Sequence, residues 1–277
     1  MKPRHSATVI MVYTLLGLFS LVFAFPMAWL LVTALKPEDL IFQYPPVWVF
    51  PPTLKHVKDV VGGDVFHFKT YLANSLFVCE MTILGTILSC SMAAYSLARI
   101  RWSWRQPVFV IMLSTMMLPA QVTMIPVFVL FKQLGWINSF LPLIVPAFLG
   151  SPFFIFLLRQ FFMTVPQDLM DAATVDGCGH MRIWWQVMMP LSKPALATVG
   201  LFAFLSAWND FMGPLIYLLN ENRYTLSLAL AMFRNQYDTQ YGPMMAASAI
   251  MTLPIIVLFF FTQRTFIQGV KMTGLKG

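Results

Sequence analysis

Charge is what this chain has least of. Only 10% of its 277 residues are Asp, Glu, Lys or Arg, while 58% are hydrophobic and the mean hydropathy is +0.73. A water-soluble domain carries about 25% charged residues, so water cannot be the main solvent, and the sequence reads as a polytopic membrane protein. The net charge of +7 then bears on orientation and lipid contact. No basic groove or nucleic-acid module accompanies it, which excludes nucleic acid as a partner. Cysteine is equally sparse. Cys79 and Cys90 lie eleven residues apart on one predicted helix, about 16 Å at the helical rise, too far to bond to each other. Neither they, Cys178 nor the four scattered histidines show metal-ligand spacing, so no metal site is expected. A G-x-x-x-x-G-K-[ST] phosphate loop is missing, so the chain does not bind ATP by that route, and no cofactor is expected on it. No Ser/His/Asp or Cys/His constellation stands out. Uphill transport by such a chain must draw on an ion gradient or on a partner ATPase.

What the chain has in quantity is long apolar runs. Six segments reach the ~20 residues that a bilayer crossing requires: Thr8–Leu35, Tyr71–Ala98, Pro107–Phe131, Leu141–Phe162, Ala195–Leu219 and Pro243–Gln263. The first is far longer than the apolar core of a signal peptide and lacks a small-x-small cleavage site, so it reads as a retained span. Eleven of the 18 basic residues fall on the side that holds both termini, the Arg99–Arg105 loop, Arg159 at the end of the fourth span and the stretch from Met163 to Pro194; seven fall on the other. By the positive-inside rule the first side is cytoplasmic. The longest outer loop, Lys36–Thr70, carries the stiff run Tyr44–Pro52, and Asn220–Gly242 is the second. The expected fold class is all-α: six transmembrane helices with a cytoplasmic helix–turn–helix between spans four and five. The division expected is 1–70 for the first span and outer loop, 71–264 for the transmembrane core and 265–277 for a cytoplasmic tail.

Two spans carry pattern beyond hydropathy. Ser75, Cys79, Thr82, Thr86, Ser89 and Ala93 alternate at steps of four and three, and Gly200, Ala203, Ala207, Asp210 and Pro214 do the same. Small-residue stripes in lipid mark close helix packing. Glu80 and Asp210 are acids inside predicted spans, where ionisable groups are costly and often functional. One reading has them line a polar substrate path, together with Asn209 and with Trp208 as a sugar-stacking ring. The other has them make interhelical hydrogen bonds only. The twenty methionines are dispersed and read as core and lipid contact.

The stretch from Met163 to Pro194 is the one long polar interruption of the second half that also looks structured. Thr164 precedes Pro166 and Gln167 at capping-box spacing, with Asp168 and Asp171 in the first turns. Gly177 and Gly179 break the run, and a second short helix, Met181–Met189, is expected to stop at Pro190.

Asp171-Ala172-Ala173, three residues, Gly177, nine residues, then Val187-Met188-Met189-Pro190 resembles the Glu-Ala-Ala, three, Gly, nine, Ile-x-Leu-Pro loop of binding-protein-dependent ABC importers. Asp171, Val187 and Met189 are conservative departures. Lys36-Pro37-Glu38, Ala207 to Phe211, and the ending from Gly269 to Gly277 resemble the maltose-type permease with a short N-terminal region. The resemblance implies a sugar-importer permease in a bacterial or archaeal inner membrane. Its partners would be a second permease, a cytoplasmic ATPase dimer holding ATP and Mg, an extracytoplasmic solute-binding protein and membrane lipid. Asp171, Ala172, Ala173, Gly177, Val187, Met189 and Pro190 would dock the ATPase. The competing reading is an ion-coupled secondary transporter that uses Glu80 and Asp210 as relay groups. An intramembrane enzyme would need a convergent catalytic set, which is lacking.

Overall fold

The structure, a computed structural model, describes residues 3–62, 66–234 and 240–273. In chain order the helices are α1 (Pro3–Leu35), α2 (Glu38–Ile41), α3 (Lys55–Gly62), α4 (Phe68–Arg99), α5 (Arg105–Thr115), α6 (Ala120–Gln133), α7 (Leu141–Phe148) and α8 (Pro152–Thr164). They are followed by α9 (Gln167–Val175), α10 (His180–Ile183), a π-helical turn over Trp184–Met188, α11 (Met189–Leu191), α12 (Lys193–Trp208), α13 (Met212–Tyr217), α14 (Leu226–Ala229) and α15 (Tyr241–Thr273). No strand is found among the described residues.

Thr8–Leu35, Phe68–Arg99, Leu141–Thr164 and Tyr241–Gln263 are each long and apolar enough to cross a bilayer. Two bent pairs bring the number to six if each is one span: α5 with α6, turned by 98°, and the His180–Leu191 stretch with α12, turned by 83°. The expected third span is therefore no single rod. α5 ends at Thr115, and α6 starts only after Pro119, whose ring fixes φ and removes a backbone donor. The expected fifth span is also interrupted, because α12 ends at Trp208 and α13 begins at Met212. Sixteen residues of α12 rise only about 24 Å, short of a ~30 Å hydrocarbon core. The last span runs past Gln263 as helix to Thr273, while 274–277 of the expected tail lie outside the described residues.

Contacts divide the chain into two units. The first is Met1–Phe68 with Leu230–Pro254. Within it α1 is apolar around its whole circumference, and none of its most hydrophobic window is buried. At its end Lys36 is buried. Its ammonium stands 5.4 Å from the Phe50 ring and 5.9 Å from Trp29, and its carbonyl is bonded to buried His56 at 3.0 Å. The Tyr44–Pro52 run adopts no regular structure.

The second unit is Lys69–Ala229 with Ile255–Gly277. Its core joins α4 (Cys90, Ala94, Tyr95, Leu97) to α8 (Ile155, Leu158, Phe162) and to Met170, Ile183, Trp184 and Met188 of the polar stretch. α8 also packs on α5 and α12, and α7 on α13. The small residues of α4 turn inward as their spacing demands, with Ser75, Cys79 and Thr86 buried. The opposite side shows Leu76, Phe77, Leu84, Leu88 and Met92. Cys79 and Cys90 are both free. Arg159, which the orientation count places at a membrane edge, is instead buried in α8. Its guanidinium lies 4.0 Å from the Phe109 ring centroid, and its Nε donates to the Leu97 carbonyl at 3.2 Å. A desolvated cation–π contact of this kind contributes about 2 kcal/mol.

Candidate functional site

Two places in the second unit hold exposed polar groups in a fixed arrangement, a hairpin over 164–191 and a cavity beside Asp210. The hairpin begins differently from the capping-box expectation. Thr164 is the last residue of α8 and donates to the Phe161 carbonyl at 2.7 Å. Pro166 occupies the N-cap of α9, with no side-chain cap bond. The Gln167 side chain bonds elsewhere. Its amide donates to the Asp171 Oδ1 at 3.0 Å, and its carbonyl accepts from Arg99 at 2.9 Å. Arg99 also donates to the carbonyls of Phe162 and Val165. The end of α8 is thus closed by a cation from α4, and hydrogen bonds to a charged donor contribute about 1.5–3 kcal/mol each.

α9 is capped at its far end through Gly177. The chain turns there with φ +79°, which a Cβ would disfavour. The backbone N–H of Gly177 and of Cys178 return to the carbonyls of Thr174 and Ala173. The second limb departs from the expected single helix Met181–Met189. α10 starts at His180, Trp184–Met188 is π-helical, and α11 carries Pro190 within it. Pro190 is no stop, because a proline in the first turn needs no N–H partner. The break falls at Ser192, where α12 turns away by 83°.

Burial sorts the hairpin residues into two sets. Asp171, Ala172, Gly177 and Pro190 are exposed, and Ala173 is half-buried. Val187 and Met189 lean against the core instead, next to buried Ile183, Trp184 and Met188. The outer set has apolar company that the motif spacing did not point to: Val175, Met181, Trp185 and Leu169, with Val175 87% exposed. Their signal was available, since large apolar side chains beside a turn in a polar stretch have no local core to enter.

The cavity has a volume of about 360 Å³ and is lined by Thr82, Ser206, Asp210 and Thr225, with Val78, Leu143, Ala207 and Pro214 as its apolar walls. It opens where the backbone between α12 and α13 is not helical. Irregular backbone at membrane depth is tolerated where it faces protein or a polar cavity, and this break is satisfied from within. Gly213 N–H donates to the Asp210 Oδ1 at 3.0 Å, and the Ser227 hydroxyl donates to the Asp210 carbonyl at 2.6 Å. Asn209 is exposed and folds its amide back onto the Leu205 carbonyl at 2.9 Å.

Asn209 does not line the cavity, and the structure does not bring the other two candidates, Trp208 and Glu80, to it either. Trp208 is 1% exposed and stacked on Phe204 at 5.3 Å, so its face is already covered and it packs the core here. Glu80 is exposed on α4 among Leu76, Phe77 and Leu84. The cavity residues Val78 and Thr82 lie two positions to either side of it, about 200° around the helix. Glu80 and Asp210 therefore form no relay pair. Ser206 and Thr225 join the cavity without having been singled out in the sequence. Ser206 sits one step off the small-residue stripe, and Thr225 is in a loop without periodicity.

Residues 85–272, more than half of the chain, match the family described as binding-protein-dependent transport system inner membrane component. The chain belongs to this family. Among curated relatives, the arabinooligosaccharides transport system permease protein AraQ of Bacillus subtilis is 32% identical over all of this chain and 99% of its own length. The diacetylchitobiose uptake system permease protein DasC of Streptomyces coelicolor is 33% identical, covering 91% of this chain and 92% of that protein. The trehalose/maltose transport system permease protein MalG of Thermococcus litoralis is 30% identical, covering 94% of each. A chain in the crystal structure of a bacterial ABC transporter for import of the acidic polysaccharide alginate has the same fold, with a TM-score of 0.83 at 24% identity over 95% of this chain and 98% of that one. This inner membrane component is accordingly a transport subunit, as its relatives are, and the ion-coupled reading has no support.

Proposed function

We propose that this permease forms half of the translocation pathway of an ATP-driven importer for oligosaccharides, disaccharides or related polyols, with ATP and Mg held by a separate ATPase dimer. The observation that carries the reading is the hairpin. Asp171, Ala172 and Gly177 face outward on a turn whose underside is packed into the core, and exposed Val175, Met181 and Trp185 stand beside them. An outward apolar tip ringed by polar groups is a protein-docking surface. Asp171 would meet a basic residue of the ATPase, and Ala172 and Ala173 would allow close approach. The motif's remaining members act from below: Val187 and Met189 hold the second limb to the core, and Pro190 sits at its exit.

The carbohydrate reading rests on the names of three relatives at 30–33% identity and agrees with the cavity. Ligand pockets span about 300–1,000 Å³, and this one offers three hydroxyls and a carboxylate, groups that pair with sugar hydroxyls. The cations near the membrane give no opposing signal, because Arg159 is already engaged by Leu97 and Phe109. The partners that follow are a homologous second permease completing the path and an extracytoplasmic solute-binding protein delivering the sugar. By the distribution of basic residues both termini and the hairpin would lie on the cytoplasmic side, with the tail after Gln268 near the ATPase dimer.

The test is purification of the tagged chain in mild detergent from cells with its neighbouring transport genes intact, followed by sugar-dependent ATP hydrolysis after reconstitution. The ATPase should accompany the chain, and hydrolysis should rise when ligand-loaded binding protein is added. A chain that transports sugar without any ATPase would refute the assignment. Cys178, half-buried on the hairpin, gives the orientation: an impermeant thiol reagent applied outside intact cells should leave it unlabelled.

A further inference from the structure

The hairpin follows α8 and precedes α12, but neither neighbour is an uninterrupted rod. α7 and α8 are separated at Gly150, where φ is +92°. α12 is set at 83° to the second limb and ends at Trp208, before the break to α13. α4 differs. It is continuous helix from Phe68 to Arg99, with no proline inside, and it grips the hairpin from outside the local sequence.

There are two inner grips. Arg99 holds the Phe162 and Val165 carbonyls and the Gln167 side chain, which in turn bonds Asp171. Tyr95 meets the His180 Nδ1 through its hydroxyl at 3.3 Å. One residue thus ties the first limb and the other ties the second. About 38 Å away along the helix, by the rise per residue, α4 holds the outer segment as firmly. Asn74 Nδ2 donates to the carbonyls of Asn222 at 2.9 Å and Tyr224 at 3.0 Å, and Ser75 Oγ accepts from Leu226 N–H at 2.7 Å. Between the two ends, Val78 and Thr82 form one wall of the cavity.

We infer that α4 is the element that transmits movement between the hairpin and the outer segment Asn220–Leu226, with Arg99 and Tyr95 as its inner positioning residues and Asn74 as its outer one. The inference rests on the docking role proposed for the hairpin. An unbroken helix carries an axial or rotational displacement along its length, whereas the breaks in α7–α8 and α12–α13 absorb one. Coupling between distant sites is carried by packed side chains, hydrogen-bond networks and rigid secondary elements, and α4 with its two sets of grips combines these. Motion imposed on the hairpin would move the Thr82 wall of the cavity and the outer segment together. Conversely, a binding protein pressing on the outer segment would be felt at Asp171 through Arg99 and Gln167.

The experiment uses the complete complex in nanodiscs, with its ATPase and its ligand-loaded binding protein, comparing wild type with Arg99→Gln, Asn74→Ala and the double variant. Each single variant should retain the ATPase and its unstimulated hydrolysis, and should lose about tenfold in the stimulation given by the binding protein, a coupling of about 1.4 kcal/mol. The double variant should lose no more than the worse single one, because the two residues act in series. Tyr95→Phe removes one hydroxyl with no change of packing shape, so it reports even where Arg99→Gln does not assemble, and it should show a reduced stimulation ratio. Wild-type stimulation in an assembled Arg99→Gln or Tyr95→Phe complex would overturn the inference, as would losses that multiply in the double variant. A wild-type preparation lacking the ATPase altogether would overturn the docking reading itself.

Discussion

In the hairpin, Asp171, Ala172 and Gly177 turn outward over a floor made by Met170, Ile183, Trp184 and Met188; around the cavity, Thr82, Asp210 and Thr225 turn inward beneath a break in the helix. The hairpin is stabilised from below by apolar burial and held at its edge by one cation, Arg99. The cavity is stabilised by hydrogen bonds within its own backbone break, through Asp210 and Ser227. A surface that must meet another protein needs a stiff support and free outward groups. A surface that must pass a hydroxylated solute needs polar groups that are oriented yet uncommitted to apolar packing.

The largest test of this contrast is Gly177→Asp, which places both a charge and a side chain on the turn proposed to dock the ATPase. Because φ there is +79°, a Cβ costs roughly 1–2 kcal/mol, and under the proposed docking role the added charge would meet the partner directly. Membrane insertion should persist while ATPase-coupled uptake falls by about tenfold or more; sugar-stimulated hydrolysis at the wild-type level would break the outward half of the comparison. Next is Asp210→Ala, which strips the Gly213 N–H of its acceptor at a cost of about 1–3 kcal/mol and removes the cavity's one carboxylate. Uptake should fall severalfold, and Asp210→Asn separates the two causes. The amide oxygen still accepts from Gly213, so lost uptake with unchanged thermal stability in Asn marks a substrate contact, and full uptake marks packing only.

A smaller effect is expected at Gly85, where a Cβ would come within 2.6 Å of the Phe148 ring. Gly85→Val should cost about 1–3 kcal/mol by overpacking, seen as a lower melting temperature of the detergent-solubilised protein; no shift would mean that α4 and α7 are loosely joined. Smallest is Glu80→Gln. Glu80 points away from the cavity walls, so uptake should stay within about twofold of wild type. A severe loss with normal assembly would return Glu80 to the pathway and sharpen the inward half instead.

Much of this was legible in residue order, and the parts that were not share a cause. The apolar runs, the stripe from Ser75 to Ala93 and the turn at Gly177 follow from periodicities and backbone preferences that act over a few residues. The cap expected at Thr164 failed because α8 keeps that residue for its own last turn, and the stop expected at Pro190 failed because Pro190 falls in the first turn of α11, where no N–H partner is needed. Arg159 looked like a membrane-edge charge until Phe109 and Leu97, about fifty and sixty positions away, were seen around it.

What the sequence alone determined is the solvent, the helical class and the turn at Gly177, because hydropathy, helix period and a glycine's freedom at positive φ are local properties. Only the tertiary structure decided that Asp210 and Thr225 share a cavity, that Glu80 and Trp208 stand outside it, and that Arg99 grips a hairpin more than sixty residues onward. Those are contacts between distant segments, set by which helix faces pack together, and no local pattern encodes them.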